Sequence, residues 1–153
     1  METPDYAAVL TSLRSAYVEA NPKQRLSIAK QRIRYPGHRP NLLVSHVAAV
    51  EGFARCLAMH VRGSTQEELS AVYPEYRNKG PEELINEYLS NAQLGDPTAY
   101  FGSETWLMFG FAIKFRNLLV HECTYLADDL SAPLIDACRS VLGTLASSKG
   151  LEG

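Results

Sequence analysis

Arg116, Asn117 and His121 stand within two helical turns of an otherwise apolar run, Phe115-Arg116-Asn117-Leu118-Leu119-Val120-His121-Glu122. Arginine is permanently charged and presents a planar fork of donors that matches phosphate oxygens. Histidine is the side chain whose ordinary pKa lies near neutrality, so it exchanges a proton at cellular pH. An anion clamp and a proton carrier are a minimal kit for metal-free cleavage of a phosphodiester. Other constellations fall short of chemistry. His46 and His60 lie on one predicted helix, too far apart to share a metal, and His121-Glu122 lacks the second histidine of an H-E-x-x-H site. There is no phosphate-binding glycine loop of either common kind, and Gly102-Ser103-Glu104 is no nucleophile elbow. Cys56, Cys123 and Cys138 form no C-x-x-C pair. No metal site and no cofactor are expected.

A helical projection separates the three residues. With Arg116 at 0° and steps of about 100°, Ala112, Leu119, Val120 and Cys123 fall within roughly 60° of it. Lys114, Asn117, His121 and Asp128 gather on another arc, at roughly 100–160°. Asn117 and His121 are four residues apart, so the amide can orient the imidazole. Arg116 instead lies on the apolar face. Either it snorkels or bridges to a buried acid such as Glu51, or it serves a packed site, a subunit interface or the bottom of a cleft.

The elements that must position these residues are helices. Thr3-Pro4 opens one, with Tyr6, Val9, Leu10, Leu13 and Tyr17 at helical spacing. Asn21-Pro22 ends it and caps a shorter basic helix over Lys23 to Ile33, which the prolines and glycine of residues 34–40 terminate. Asn41 caps a long helix whose stripe is Leu42, Leu43, Val47, Val50, Phe53, Ala54, Leu57 and Val61, and Gly63 stops it. Thr65 with Glu68 forms a capping box for a short helix to about Val72. Gly80-Pro81 opens another, and Gly95-Asp96-Pro97 caps a long segment reaching Asp128 that carries the motif, with Gly102 and Gly110 as the places where it can break. Ser131 to Ala146 reads as the last helix, with residues 147–153 as a flexible tail. No alternating β pattern competes. The expected fold is all-α, a single domain over residues 1–146 forming a compact bundle of about five to seven helices.

Composition agrees with a packed domain, since 46% of the 153 residues are hydrophobic. No uninterrupted apolar run reaches the roughly 18 residues of a membrane span, so no membrane partner is expected. The acidic start, Met1-Glu2-Thr3-Pro4-Asp5, is unlike a secretory signal. Scattered cysteines read as reduced thiols, which implies a cytoplasmic protein. Charge is uneven: residues 1–62 hold nine basic and four acidic residues, a balance of +5, while residues 63–153 hold six and thirteen, a balance of −7. Lys30, Arg32, Arg34 and Arg39, with Tyr35 and His38 between them, suit single-stranded RNA through phosphate contact and stacking. They equally suit a solvated helix face and surface loop. The series Glu67, Glu68, Glu75, Glu82, Glu83, Glu87 is most simply a solvated acidic face; the alternatives are a mimic of nucleic acid or a surface that receives a basic protein.

The Arg116-to-His121 segment resembles the R-x4-6-H motif of HEPN domains, in which a polar residue follows the arginine. In that family the motif sits on a late helix of a small all-α bundle, and this chain's length, helical reading and motif position agree with that across most of the sequence. The resemblance implies a metal-independent endoribonuclease with Arg116, Asn117 and His121 as catalytic residues. It also implies a homodimer in which two motifs face one cleft, and the toxin role of a toxin–antitoxin or defence system with an antitoxin protein as partner. Some family members are instead non-catalytic adaptors or nucleotide-binding regulatory modules, and that alternative stays open. Toxins paired with a nucleotidyltransferase often carry tyrosine two residues after the histidine. Here that position is Cys123.

Overall fold

Side-chain caps account for four of the helix starts. The computed structural model describes residues 4–19, 21–24, 26–27, 30, 39–124 and 126–151. Among these the chain is all-helical, with no strand and with eight helices, one above the expected range. Seven are numbered here: α1 (Tyr6–Glu19), α2 (Arg39–Arg62), α3 (Gln66–Tyr76), α4 (Pro81–Asn91), α5 (Pro97–Phe101), α6 (Ser103–His121) and α7 (Asp128–Ser147). Residues 22–24, 26, 27 and 30 are also helical, within the expected basic helix.

Asp5 accepts a hydrogen bond from the Ala8 amide at 3.1 Å and opens α1. Asn21 and Gln24 exchange two bonds of 2.9 Å, side chain to backbone in both directions, a reciprocal cap at the expected place. Thr65 accepts from the Glu68 amide at 3.2 Å, and Asp96 from the Ala99 amide at 3.1 Å. Gly102, at φ 93°, separates α5 from α6, whereas Gly110 leaves α6 unbroken.

Several boundaries differ from expectation: α1 starts at Tyr6, after the expected Thr3-Pro4 opening, and α7 starts at Asp128 rather than Ser131. α2 starts at Arg39, ahead of Asn41. α3 continues past Val72 to Tyr76, with Pro74 in its last turn. α6 ends at His121 rather than near Asp128, because Cys123 takes φ 49° and turns the chain. Asp128 therefore starts α7 and does not share an arc with Asn117 and His121. Of the segment expected as a tail, residues 148–151 close α7: the Leu151 amide bonds the Ala146 carbonyl at 3.0 Å, and the Ser148 hydroxyl meets the Tyr88 hydroxyl at 2.7 Å.

α2 is the central helix, packed on α3, α4, α6 and α7. Its buried stripe is Leu43, Val47, Val50, Ala54, Leu57 and Ala58, while Leu42 and Val61 are exposed. Over Asn41–Arg62 this helix is long and apolar enough, by length and composition, to cross a membrane. No uninterrupted run revealed this, because Glu51 and Arg55 punctuate it. Its apolar stripe is part of the bundle's own core, shared with Leu84, Ile85, Phe109, Phe115, Leu134 and Val141. α1 is fastened by the Tyr6 hydroxyl, which donates to the Leu130 carbonyl at 2.9 Å, and by ring contacts with Phe111 and Phe115.

Candidate functional site

α6 places the motif at its own C-terminal end. Phe109, Ala112, Phe115, Leu118 and Leu119 are buried at helical spacing and key the helix into the core. That register fixes what the polar residues can do. Arg116 follows the buried Phe115 and is drawn into the seam between α6 and α2, its side chain 17% exposed. Its Nη2 lies 3.5 Å from Glu51 Oε1 on α2. The other Glu51 oxygen lies 3.5 Å from Arg55 Nη2. One carboxylate thus sits between two guanidiniums.

Arg55 is itself held. Its Nε donates to the Tyr76 carbonyl at 3.1 Å and its Nη2 to the Lys79 carbonyl at 2.9 Å. These are end-of-helix carbonyls of α3 and the following turn, which lack intrahelical donors. So Arg55 is anchored to backbone, Glu51 to Arg55, and Arg116 to Glu51. On α7, burial pushes the Cys138 thiol up to about 12, and the charge of Arg116 acts in the opposite direction. Arg116 is therefore close enough to α7 for its field to be felt in the core.

Asn117 is exposed, and its Oδ1 accepts from Arg116 Nε at 3.0 Å. The expected contact between Asn117 and His121 is replaced by this one. The reason is electrostatic: a charged donor makes a stronger hydrogen bond than a neutral imidazole. The amide's NH2 group carries two further donors. His121 is exposed as the last residue of α6, beside Val120, which is 53% exposed.

Within one chain Arg116 and His121 do not converge. Five residues separate them, about 140° around the axis and about 7.5 Å along it. The three described clefts are lined by residues other than Arg116, Asn117 and His121. Among the described residues no three histidine, cysteine or acidic side chains converge as metal ligands.

The basic set is only partly described. Lys30 is helical and exposed, and Arg39 opens α2. Arg32 and Arg34, with Tyr35 and His38, lie outside the described residues. The residue that sequence reasoning undervalued is Arg55. Its signal was available: Glu51 is the only acid between Glu19 and Glu67, and Arg55 follows it at the i,i+4 spacing of a helical ion pair. Comparison of the chain with models of protein families, with curated proteins and with solved structures gave no match.

Proposed function

We propose that this chain is a metal-independent endoribonuclease of the HEPN type, acting as a homodimer on RNA. One observation carries the reading. Arg116 is oriented from both sides, by Glu51 and by Asn117, yet stays partly open, while His121 stands in solvent at the same helix end. A guanidinium braced in this way costs little further ordering when an anion arrives.

RNA carries its own nucleophile, the 2′-OH. His121 accepts that proton as general base, and the oxygen attacks the adjacent phosphorus. The 5′-oxygen leaves as its bond to phosphorus breaks, and His121 of a second copy supplies the proton it needs. Arg116 neutralises charge on the phosphorane oxygens, an electrostatic contribution of roughly 3–4 kcal/mol for one well-placed donor. Asn117, with its carbonyl committed to Arg116, offers its NH2 donors to the phosphate. A second copy supplies the second proton carrier that this mechanism needs. The biological role consistent with such an enzyme is the toxin of a toxin–antitoxin or defence system.

The second reading is a non-catalytic helical adaptor. Arg116 favours it in one respect, since an ion pair with Glu51 is also a sufficient structural reason for the residue. His121 separates the two, because it is exposed and has no role in the core. His121→Ala should retain the wild-type melting temperature within about 2 °C, in keeping with an exposed site. It should also lose RNA cleavage measured in EDTA by at least about a hundredfold. Cleavage at the wild-type rate by the folded variant would leave the adaptor reading.

A further inference from the structure

α6 carries a second feature N-terminal to the motif. Trp106, Leu107, Gly110, Phe111 and Lys114, with Glu82 from the first turn of α4, line an open cleft of about 240 Å3. Internal packing does not explain it. Gly110 lies inside a helix, where only proline is less favourable. A Cβ at Gly110 would meet only Glu82 Oε1, at 3.3 Å, the far end of a flexible side chain. No core residue or neighbouring backbone requires the gap. Leu107, at its rim, is 60% exposed.

The lining is polarised along the helix. Glu82 provides a carboxylate, Trp106 and Phe111 provide rings, and Lys114 brings its ammonium 5.5 Å from the Phe111 ring centroid. Trp106 is held in place by Phe101, stacked at 5.5 Å with 12° between the planes. A nucleotide has the matching polarity, a flat base with amino donors at one end and an anionic phosphate at the other. A carboxylate accepts from a base amino group and repels phosphate, so only one orientation satisfies both ends. The volume is below the roughly 300–1,000 Å3 of sites that enclose a whole small molecule, and suits a single base. Lys114 precedes His121 by two helical turns on nearly the same azimuth, about 10 Å along the axis. A strand whose phosphate rests on Lys114 therefore runs on toward His121.

We infer that this cleft is a base-binding subsite for single-stranded RNA, seating one unpaired base against Trp106 and Phe111 with its phosphate on Lys114. The inference rests on the reading of Arg116, Asn117 and His121 as an RNA-cleaving set. Because uracil lacks an exocyclic amino group, the Glu82 carboxylate favours the other bases.

Trp106 is the only tryptophan, so its fluorescence reports the cleft directly. The experiment titrates the full chain with 2′-O-methyl oligocytidine and oligouridine, which lack the attacking hydroxyl. Saturable quenching is expected, stronger with oligocytidine. Gly110→Leu, which fills the cleft, should abolish the quenching and weaken binding by about tenfold or more. Lys114→Glu, at an exposed position, should weaken binding similarly. Binding without quenching, or wild-type binding by Gly110→Leu, overturns the subsite. So does a wild-type dimer that Gly110→Leu converts to monomer in sedimentation without any quenching, since the cleft is then a contact between chains. Cleavage of unmodified RNA, followed in parallel, keeps the two readings apart. A wild type that cleaves but shows no quenching overturns the subsite alone. One that is quenched but does not cleave overturns the cleavage reading alone and leaves the subsite supported.

Discussion

Glu51 is the residue through which the candidate site is held. Its two oxygens face Arg55 and Arg116, each at 3.5 Å, and all three side chains are at most a quarter exposed. Arg55 keeps its two carbonyl bonds if Glu51 is neutralised, so the effect falls mainly on Arg116. Glu51→Gln should lower stability in urea unfolding by about 1–2 kcal/mol, a figure reduced for partial exposure. It should lower RNA cleavage more than that loss explains, because Arg116 is no longer braced. Equal cleavage by the folded variant would mean that the brace has no part in catalysis. The Glu51–Arg116 pair was one of the options the sequence left open: an arginine on an apolar helical arc calls for an acid, an interface or a snorkelling path, and Glu51 is the lone acid of a basic region. The Arg116–Asn117 bond was not legible. Neighbours at i,i+1 point in different directions on a helix, and only the arginine's length lets Nε reach back to the amide.

At the scale of elements, α3 is joined to α2 and α4 through one buried ring. The Tyr76 hydroxyl donates to Glu87, Lys79 Nζ lies 2.7 Å from the other Glu87 oxygen, and Lys79 also sits 4.6 Å over the Tyr76 ring. Burial alone would push the Glu87 carboxyl up, but hydrogen bonds from Lys79 and Tyr76 outweigh it and hold the carboxyl below its ordinary value. A carboxyl lowered by folding adds stability that is complete above the ordinary carboxylate range and is lost as pH falls through the folded value. Urea unfolding should therefore weaken from about pH 6 to about pH 3, and Glu87→Gln should flatten part of that slope. An unchanged slope would show that the network adds nothing in solution. This network also explains why α3 outruns its expected end: Tyr76, fully buried, fixes a last turn that Pro74 would otherwise loosen. Caps at Asn21, Thr65 and Asp96 were legible because they are local. The end of α6 was not. Cysteine has no turn preference, and the positive φ of Cys123 follows from burial of Thr124 and Leu126 as the chain returns to the core. That turn leaves His121 at a helix end, where a helix running on to Asp128 would have placed it mid-surface.

For the whole molecule, the all-α bundle was readable from apolar periodicity, because α2, α4 and α7 bury stripes the sequence shows directly. The cleft beside Gly110 was not readable, since it depends on where Glu82 of α4 falls against α6. What one chain offers at the motif is a braced cation and a separate exposed imidazole, 140° apart by helical geometry at about 100° per residue. In the proposed mechanism, a functional centre built from them is completed from outside the chain, by substrate and by a second copy. In that proposed mechanism, His121 moves protons for a 2′-OH attack braced by Arg116. Analysis of the RNA ends produced by the purified protein in EDTA tests it most directly. Attack by the 2′-OH predicts a 2′,3′-cyclic phosphate on one fragment and a free 5′-OH on the other, with no cut where a single 2′-deoxynucleotide replaces the attacking residue. Fragments ending in 3′-OH and 5′-phosphate, or cleavage that survives the deoxy substitution, would contradict it.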